Sequence, residues 1–224
     1  MNFLDKSNLF EGLVDIVDMP DGRKYAWPIN DTETKLYLSR YSDTPKNIAQ
    51  HVDHCGTMVQ AGGNCGYYVK LFAERFETVY TFEPESLNFL CLTLNTHDLN
   101  NVIKFQACVG NERKLISTQC DDSQGCGSTH ISAEAGKVPT MLIDELGLES
   151  CDLIQLDTEG FEYFGLLGAK QTIEKFRPVI VIEWSKSWAA RYGVTYEMIT
   201  NFLQPYGYER IAKYDADLVF KVAK

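Results

Sequence analysis

Thr57-Met58-Val59-Gln60-Ala61-Gly62-Gly63-Asn64-Cys65-Gly66 runs from a short apolar segment straight into a glycine cluster. A short apolar run bounded by a turn signal suits a buried strand, and Thr57–Ala61 reads as one. The glycines then let the backbone reverse sharply and approach a ligand closely. Beyond them Val69, Phe72, Ala73 and Phe76 recur at i, i+3, i+4 and i+7, one face of a helix. Strand, glycine turn and helix open a βαβ unit whose helix start presents free N–H groups. A glycine turn also serves many strand–helix junctions that bind nothing, so the stretch needs company before it means a site.

Downstream the alternation repeats. Thr78–Phe82 is a second strand ending at Glu83, and Pro84 starts a helix with Leu87, Leu90, Cys91 and Leu94 inward. Val102–Val109 reads as a third strand. Ser117 to Ser128 is polar, rich in Gly, Ser and Asp, and long enough for a functional loop. Asp152–Leu156 is a fourth strand leading into Asp157-Thr158-Glu159-Gly160, followed by a helix from about Tyr163 to Lys175. Arg177-Pro178 precedes the strand Val179–Ile182, and Thr195 caps a helix to about Gln204 with Tyr196, Ile199 and Leu203 inward. Tyr208–Lys213 and Leu218–Val222 are joined too tightly for a crossover, so they pair antiparallel or not at all. Strands alternating with helices give an α/β fold: a doubly wound, mainly parallel sheet closed by one antiparallel strand.

Upstream of this core, residues 1–43 are aromatic and β-branched pieces broken by turns. Met19-Pro20-Asp21-Gly22 should close a hairpin between Leu13–Asp18 and Lys24–Trp27. Thr44-Pro45 places proline at a helix start, opening a helix to about Asp53. The expected division is a short N-terminal β/α extension, residues 1–55, packed on a core domain, residues 56–224.

Composition narrows the function. The 224 residues carry a net charge of −10, and the 21 Lys and Arg residues are scattered. Binding a phosphate backbone calls for clustered cations, so nucleic acid is disfavoured as a partner. The seven cysteines are odd in number and lack a C-x-x-C, which suits reduced thiols in the cytoplasm. Cys120 and Cys126 flank the polar loop, but no His–Cys cluster completes a zinc site, so no metal is expected. No stretch approaches the roughly 20 apolar residues of a membrane span.

Glu83 stands about 20 residues beyond the glycine turn, where a carboxylate accepts hydrogen bonds from both hydroxyls of an adenosine ribose. The plainer alternative is a helix-start carboxylate beside Pro84, favoured by the dipole. The pattern G-G-N-C-G differs from G-x-G-x-x-G. With the terminal hairpin, it favours S-adenosylmethionine over a nicotinamide dinucleotide.

Four stretches then resemble the FkbM-type methyltransferase family: Gln60-Ala61-Gly62-Gly63-Asn64-Cys65-Gly66-Tyr67-Tyr68, Phe82-Glu83-Pro84, Asp157-Thr158-Glu159-Gly160-Phe161-Glu162, and Arg177-Pro178-Val179-Ile180-Val181-Ile182-Glu183. Ala107-Cys108-Val109-Gly110 and Ile143-Asp144-Glu145-Leu146 stand between them in the family's order. The resemblance covers about residues 56–184. It implies a seven-stranded Rossmann-like class I methyltransferase sheet and an S-adenosylmethionine cofactor. The cofactor would be held by Gln60, Gly62, Gly63, Asn64, Gly66, Glu83 and Cys108. Members often methylate a hydroxyl of a small molecule or glycan-like acceptor. Where Gln60 stands, the family usually has an acid near the methionine end of the cofactor; Gln60 accepts a hydrogen bond without the charge.

The resemblance also places Asp157 and Glu159 beside the reactive methyl, where either carboxylate serves as base for a hydroxyl or binds substrate hydroxyls. The competing reading is an acidic helix start together with Glu162. His130, at the end of the polar loop, is a third candidate base. Trp184 and Trp188 either wall a ring-shaped acceptor or cover the sheet edge. Two rival functions remain at this point: a nicotinamide-dependent oxidoreductase, and a non-catalytic nucleotide-binding module of the same fold.

Overall fold

The computed structural model describes residues 12–29, 31–120, 125–132 and 136–223. Residues 1–11 of the expected extension and 121–124 of the expected polar loop lie outside the described residues. The hairpin is as expected: β1 (Val14–Asp18) and β2 (Lys24–Pro28) pair antiparallel across Met19-Pro20-Asp21-Gly22. Gly22 N–H donates to Met19 O at 2.9 Å, with Gly22 at φ +78°, a conformation glycine adopts without a Cβ clash. A helix that was not expected follows, α1 (Glu33–Arg40); it exposes Leu36 and Tyr37 and has no apolar stripe to announce it. The Thr44-Pro45 helix, α2 (Thr44–Ala49), stops short of Asp53. Its end tightens into i→i+3 bonds, His51 N–H to Ile48 O and Val52 N–H to Ala49 O.

The core then begins with β3 (Thr57–Ala61), α3 (Tyr67–Ala73), β4 (Thr78–Phe82), α4 (Ser86–Asn95) and β5 (Val102–Phe105). The expected inward face of α4 is corrected: the buried residues are Asn88, Cys91, Leu92 and Asn95. Asn95 is inside because its amide ties two elements together. It exchanges hydrogen bonds with Ala26 N–H (2.7 Å) and Ala26 O (2.9 Å) of β2, and donates to Cys65 O (2.7 Å) of the glycine turn. Apolar periodicity is blind to such a residue.

The expected strand Val102–Val109 divides. Phe105 makes the last pairing with Phe82, and Cys108–Val109 becomes β6, which pairs with a different sheet. That small sheet runs β6-β9-β7-β8, with β7 (Leu115–Gln119), β8 (His130–Ser132) and β9 (Val138–Met141). Ser117–Gln119, expected as loop, is therefore strand paired to His130–Ser132.

Next come β10 (Leu153–Leu156), α5 (Glu162–Leu167), α6 (Lys170–Phe176) and β11 (Val179–Glu183). The single helix expected over Tyr163–Lys175 is broken into α5 and α6 at Gly168, where a Cβ would overlap the Gly110 carbonyl oxygen. A short α7 (Lys186–Ala190), also not expected, leads to α8 (Tyr196–Leu203), which Thr195 caps through a hydroxyl accepting from Met198 N–H. β12 (Tyr208–Tyr214) and β13 (Asp217–Val222) close the chain as the expected antiparallel pair.

The seven-stranded sheet has the order β12-β13-β11-β10-β3-β4-β5. Its β3, β4, β5, β10 and β11 are parallel, and β13 runs against β11. Alternate residues of each central strand enter different clusters: Met58, Leu153 and Val181 on one face, Val59, Ile154 and Ile182 on the other. A parallel sheet covered on both faces needs such continuous apolar strands. From β3 the chain steps outward through β4 to β5, then returns to the other side of β3 with β10. Ligands of open α/β sheets bind beyond the strand ends at such a reversal.

Candidate active site

A cavity of about 580 Å³ opens beyond the carboxyl ends of β3, β4, β10 and β11. The β3–β10 junction shapes its floor. Asp157 N–H donates to Ala61 O at 3.0 Å, and a Cβ on Gly62 would overlap the Asp157 carbonyl oxygen. Gly62 also sits at φ +91°, so both space and backbone require glycine. At Gly63 a Cβ would lie 2.6 Å from Thr81 Oγ1. The bare backbone thus forms a cradle at the cavity's edge.

Glu83 sits in this cradle, buried, between two backbone donors: Asn64 N–H to Oε2 at 2.8 Å and Glu85 N–H to Oε1 at 2.9 Å. Burial pushes its carboxyl up to about 7, and those hydrogen bonds pull it back. Each oxygen keeps lone-pair capacity for a further donor. Asn88, also buried in the cavity wall, has an Oδ1 with no hydrogen-bond partner among the described residues. Cys108 completes this side, its thiol pushed up by burial.

S-adenosylmethionine suits these residues. The glycine backbone admits a close approach, while Glu83 and the unpartnered Asn88 oxygen supply acceptors for hydroxyl donors. Gly62, Gly63, Asn64, Glu83 and Cys108, all expected at the cofactor, line the cavity. Gln60 and Gly66, also expected there, do not line it. Gln60 is buried inside the sheet, its Oε1 accepting from Thr81 Oγ1 at 3.3 Å, and Gly66 starts α3 at φ +84°.

The opposite end is acidic. Asp157 and Glu183 follow each other across β10 and β11, whose last pair is Leu156 with Ile182. Glu159, at φ +55°, turns back beside them, and one oxygen of each of the three carboxylates lies within 4.8 Å of the others. Burial pushes Asp157 up to about 6, opposed by its hydrogen bond to Glu183. Burial and then the Asp157 charge carry Glu159 up to about 9, and the same two causes hold Glu183 well above the usual carboxylate range. Glu162 organises the turn: its Oε1 accepts from Thr158 N–H (2.9 Å), Thr158 Oγ1 (3.2 Å) and Gly160 N–H (3.0 Å). The Asp157 charge thus favours the protonated form of Glu159, so the two expected bases are chemically unequal.

His130 lines the same cavity, its ring centroid 5.5 Å from that of Trp188 and its Nδ1 3.2 Å from Ser128 O. Of the two tryptophans only Trp188 reaches the wall; Trp184 lies 5.5 Å from Tyr196, packed against the core.

The sequence reading assigned no role to Glu183, although it ends a strand as Asp157 does. It also missed α1 as a wall. Tyr37 donates to Asp215 Oδ2 at 2.8 Å and Thr34 Oγ1 accepts from Gly127 N–H at 2.8 Å, so α1 joins both rims of the cavity. Cys126, set aside with Cys120 as an incomplete zinc pair, lines the cavity and donates its thiol to Asp31 Oδ2 at 2.9 Å.

Known proteins share this architecture. No curated protein matches the chain in sequence. The crystal structure of methyltransferase FkbM from Methylobacillus flagellatus KT superposes with a TM-score of 0.51 at 17% identity, over 83% of this chain and 52% of that one. This chain therefore spans about half the length of that protein. Trm5b from Pyrococcus abyssi gives 0.54 at 13% identity, over 96% and 57% of the respective chains. Magnesium protoporphyrin IX methyltransferase from Synechocystis PCC 6803, solved with bound SAM, gives 0.52 at 9% identity, over 85% and 82%. At these identities the likeness is one of fold, the S-adenosylmethionine-dependent methyltransferase fold. The family model "Methyltransferase FkbM domain" matches residues 54–210, and the chain belongs to that family.

Proposed function

We propose that the protein is an S-adenosylmethionine-dependent O-methyltransferase acting on a hydroxyl of a small-molecule or glycan-like acceptor. One observation carries this reading: a single cavity joins the Gly62–Gly63–Glu83 cradle to the Asp157–Glu159–Glu183 end. Cofactor and acceptor thus have adjoining places with a carboxylate between them.

When bound, the cofactor supplies a methyl group already activated on a sulfonium. The chain's own residues then have two tasks. Glu83, Asn64 and the glycine backbone fix the adenosine end, and alignment of donor and acceptor supplies much of the rate. Asp157, set on a rigid strand end, takes the hydroxyl proton; His130 is the competing base. Trp188 offers an aromatic face for a ring-shaped acceptor. Residues 1–55 act as an extension whose α1 roofs the acceptor end and helps choose it, since substrate choice resides in such additions.

Calorimetric titration with S-adenosylmethionine, and separately with NAD, tests the cofactor half of this reading. Saturable binding of S-adenosylmethionine alone supports it; binding of NAD alone would replace it with an oxidoreductase.

A further inference from the structure

We propose that Asp157, Glu159 and Glu183 together hold one hard divalent cation, of the Mg²⁺, Mn²⁺ or Ca²⁺ class, at the acceptor end of the cavity. The inference deepens the function proposed above and rests on it for the cation's role.

Geometry comes first. Oxygens on opposite sides of a bound ion are separated by twice the metal–ligand distance, about 4.0–4.2 Å for Mg²⁺ and about 4.6–5.2 Å for Ca²⁺. The three carboxylates each offer an oxygen within 4.8 Å of the other two, so all three fit around one ion. Glu183 and Asp157 are fixed by neighbouring strand ends, and Glu159 is brought to them by its left-handed backbone. The donor set is oxygen alone, which selects hard cations over zinc or copper.

A fourth carboxylate points the same way. Asp217 is the direct cross-strand partner of Glu183, so their side chains share a face of the sheet. Its Oδ1 is sealed from solvent and has no hydrogen-bond partner among the described residues, and Asp157 is the strongest charge acting on it. A buried carboxylate oxygen left without a donor is costly. A cation seated among Asp157, Glu159 and Glu183 would offset that cost as well as their mutual repulsion. The positive side chain felt by Glu159 is Arg191, whose guanidinium is stacked 3.6 Å over the Trp188 ring.

Three protein oxygens leave coordination positions open to water or to an acceptor oxygen. A hydroxyl entering one of them would be made more acidic by the ion. Each carboxylate would give one oxygen to the ion, and the proton of the bound hydroxyl would pass to the second oxygen of Asp157.

Titration of the whole chelator-treated chain with Mn²⁺, followed by electron paramagnetic resonance, tests the site. The expected result is one saturable site per chain, emptied by excess Mg²⁺ or Ca²⁺. Glu183→Gln and Glu159→Gln should each weaken it by at least about tenfold, and Asp217→Asn by less, since it takes away a nearby carboxylate and no ligand. Glu145→Gln, in a surface pair with Arg113, should leave it unchanged. Absence of a saturable Mn²⁺ site in the wild type, or equal binding in Glu183→Gln and Glu159→Gln, overturns the proposal. A rise in the wild-type melting midpoint with Mn²⁺ reads the same site without any variant, and no rise at saturating Mn²⁺ counts against it. S-adenosylmethionine titrated into the same sample separates the two readings. Its binding without Mn²⁺ binding sinks the cation site alone; Mn²⁺ binding without it sinks the methyltransferase reading alone.

Discussion

Gly62 and Asp157 meet where the sheet reverses direction: the Asp157 carbonyl oxygen occupies the space in which a Gly62 side chain would begin. The glycine cradle and the acidic end of the cavity are therefore one rigid junction, set by two adjacent strands. Gly62→Ala introduces both an overlap and a strained φ of +91°. The expected loss of stability is about 2–5 kcal/mol, combining backbone strain with overpacking. Chemical denaturation measures it, and an unchanged midpoint would mean the junction is soft.

Glu83 should set the pH dependence of cofactor affinity. Its carboxyl titrates near 7, and only the ionised form accepts hydrogen bonds from two hydroxyls. S-adenosylmethionine binding is expected to tighten as pH rises through about 7 and then level off. Glu83→Ala should weaken it by about 1.5–3 kcal/mol and flatten the profile. Calorimetry at several pH values decides; wild-type affinity in the variant removes Glu83 from the ribose.

The same group, with Glu162, makes folding stability move the other way. Both are buried with carboxyls raised from 4.5 to about 7. The folded state binds more protons than the unfolded one between those values. Their contribution is thus fully present below about pH 4.5 and lost as pH rises through about 7. The effect is on the order of 3 kcal/mol for each group. Thermal melting should give a higher midpoint near pH 5 than near pH 8; a midpoint that climbs with pH over this range contradicts it.

Asp157→Asn should keep the fold and bind cofactor nearly normally while turnover falls by roughly 10²–10⁴. A smaller loss with a raised acceptor KM would make Asp157 a holder of substrate. Abolished turnover in His130→Gln, with Asp157→Asn active, would transfer the proton to histidine.

Tyr37→Phe removes the hydroxyl that latches α1 to Asp215. The bond is solvent-exposed, so stability should change by no more than about 0.5 kcal/mol. Acceptor KM should rise with cofactor affinity unchanged. Steady-state kinetics against both ligands separates these, and a shift in cofactor affinity alone would place α1 over the wrong end.

The reversal that makes the site was legible because Thr57–Ala61 and Thr78–Phe82 are short apolar runs, each ending in residues that cannot continue a strand. Glu83 and Asp157 were visible by the same rule, as polar residues just past a strand. Glu183 obeys it too, and a consistent application would have put it beside Asp157. Other features had no pattern to find. Asn88 and Asn95 are buried for their amides, which apolar periodicity ignores. The split after Phe105 is a change of strand partner inside one run with no glycine or proline to mark it. α1 is a short polar helix held by Tyr37 and Thr34 contacts to residues far along the chain.

Transfer of an isotopically labelled methyl group tests the central claim most directly. The purified chain would be incubated with methyl-labelled S-adenosylmethionine and fractionated small-molecule and glycan acceptors, and the products read by mass spectrometry. The account predicts label on an acceptor hydroxyl, dependent on the chain and strongly reduced in both Glu83→Ala and Asp157→Asn. Label that appears at an equal rate with both variants, or that never leaves the cofactor with any acceptor class while S-adenosylmethionine fails to bind, would contradict it.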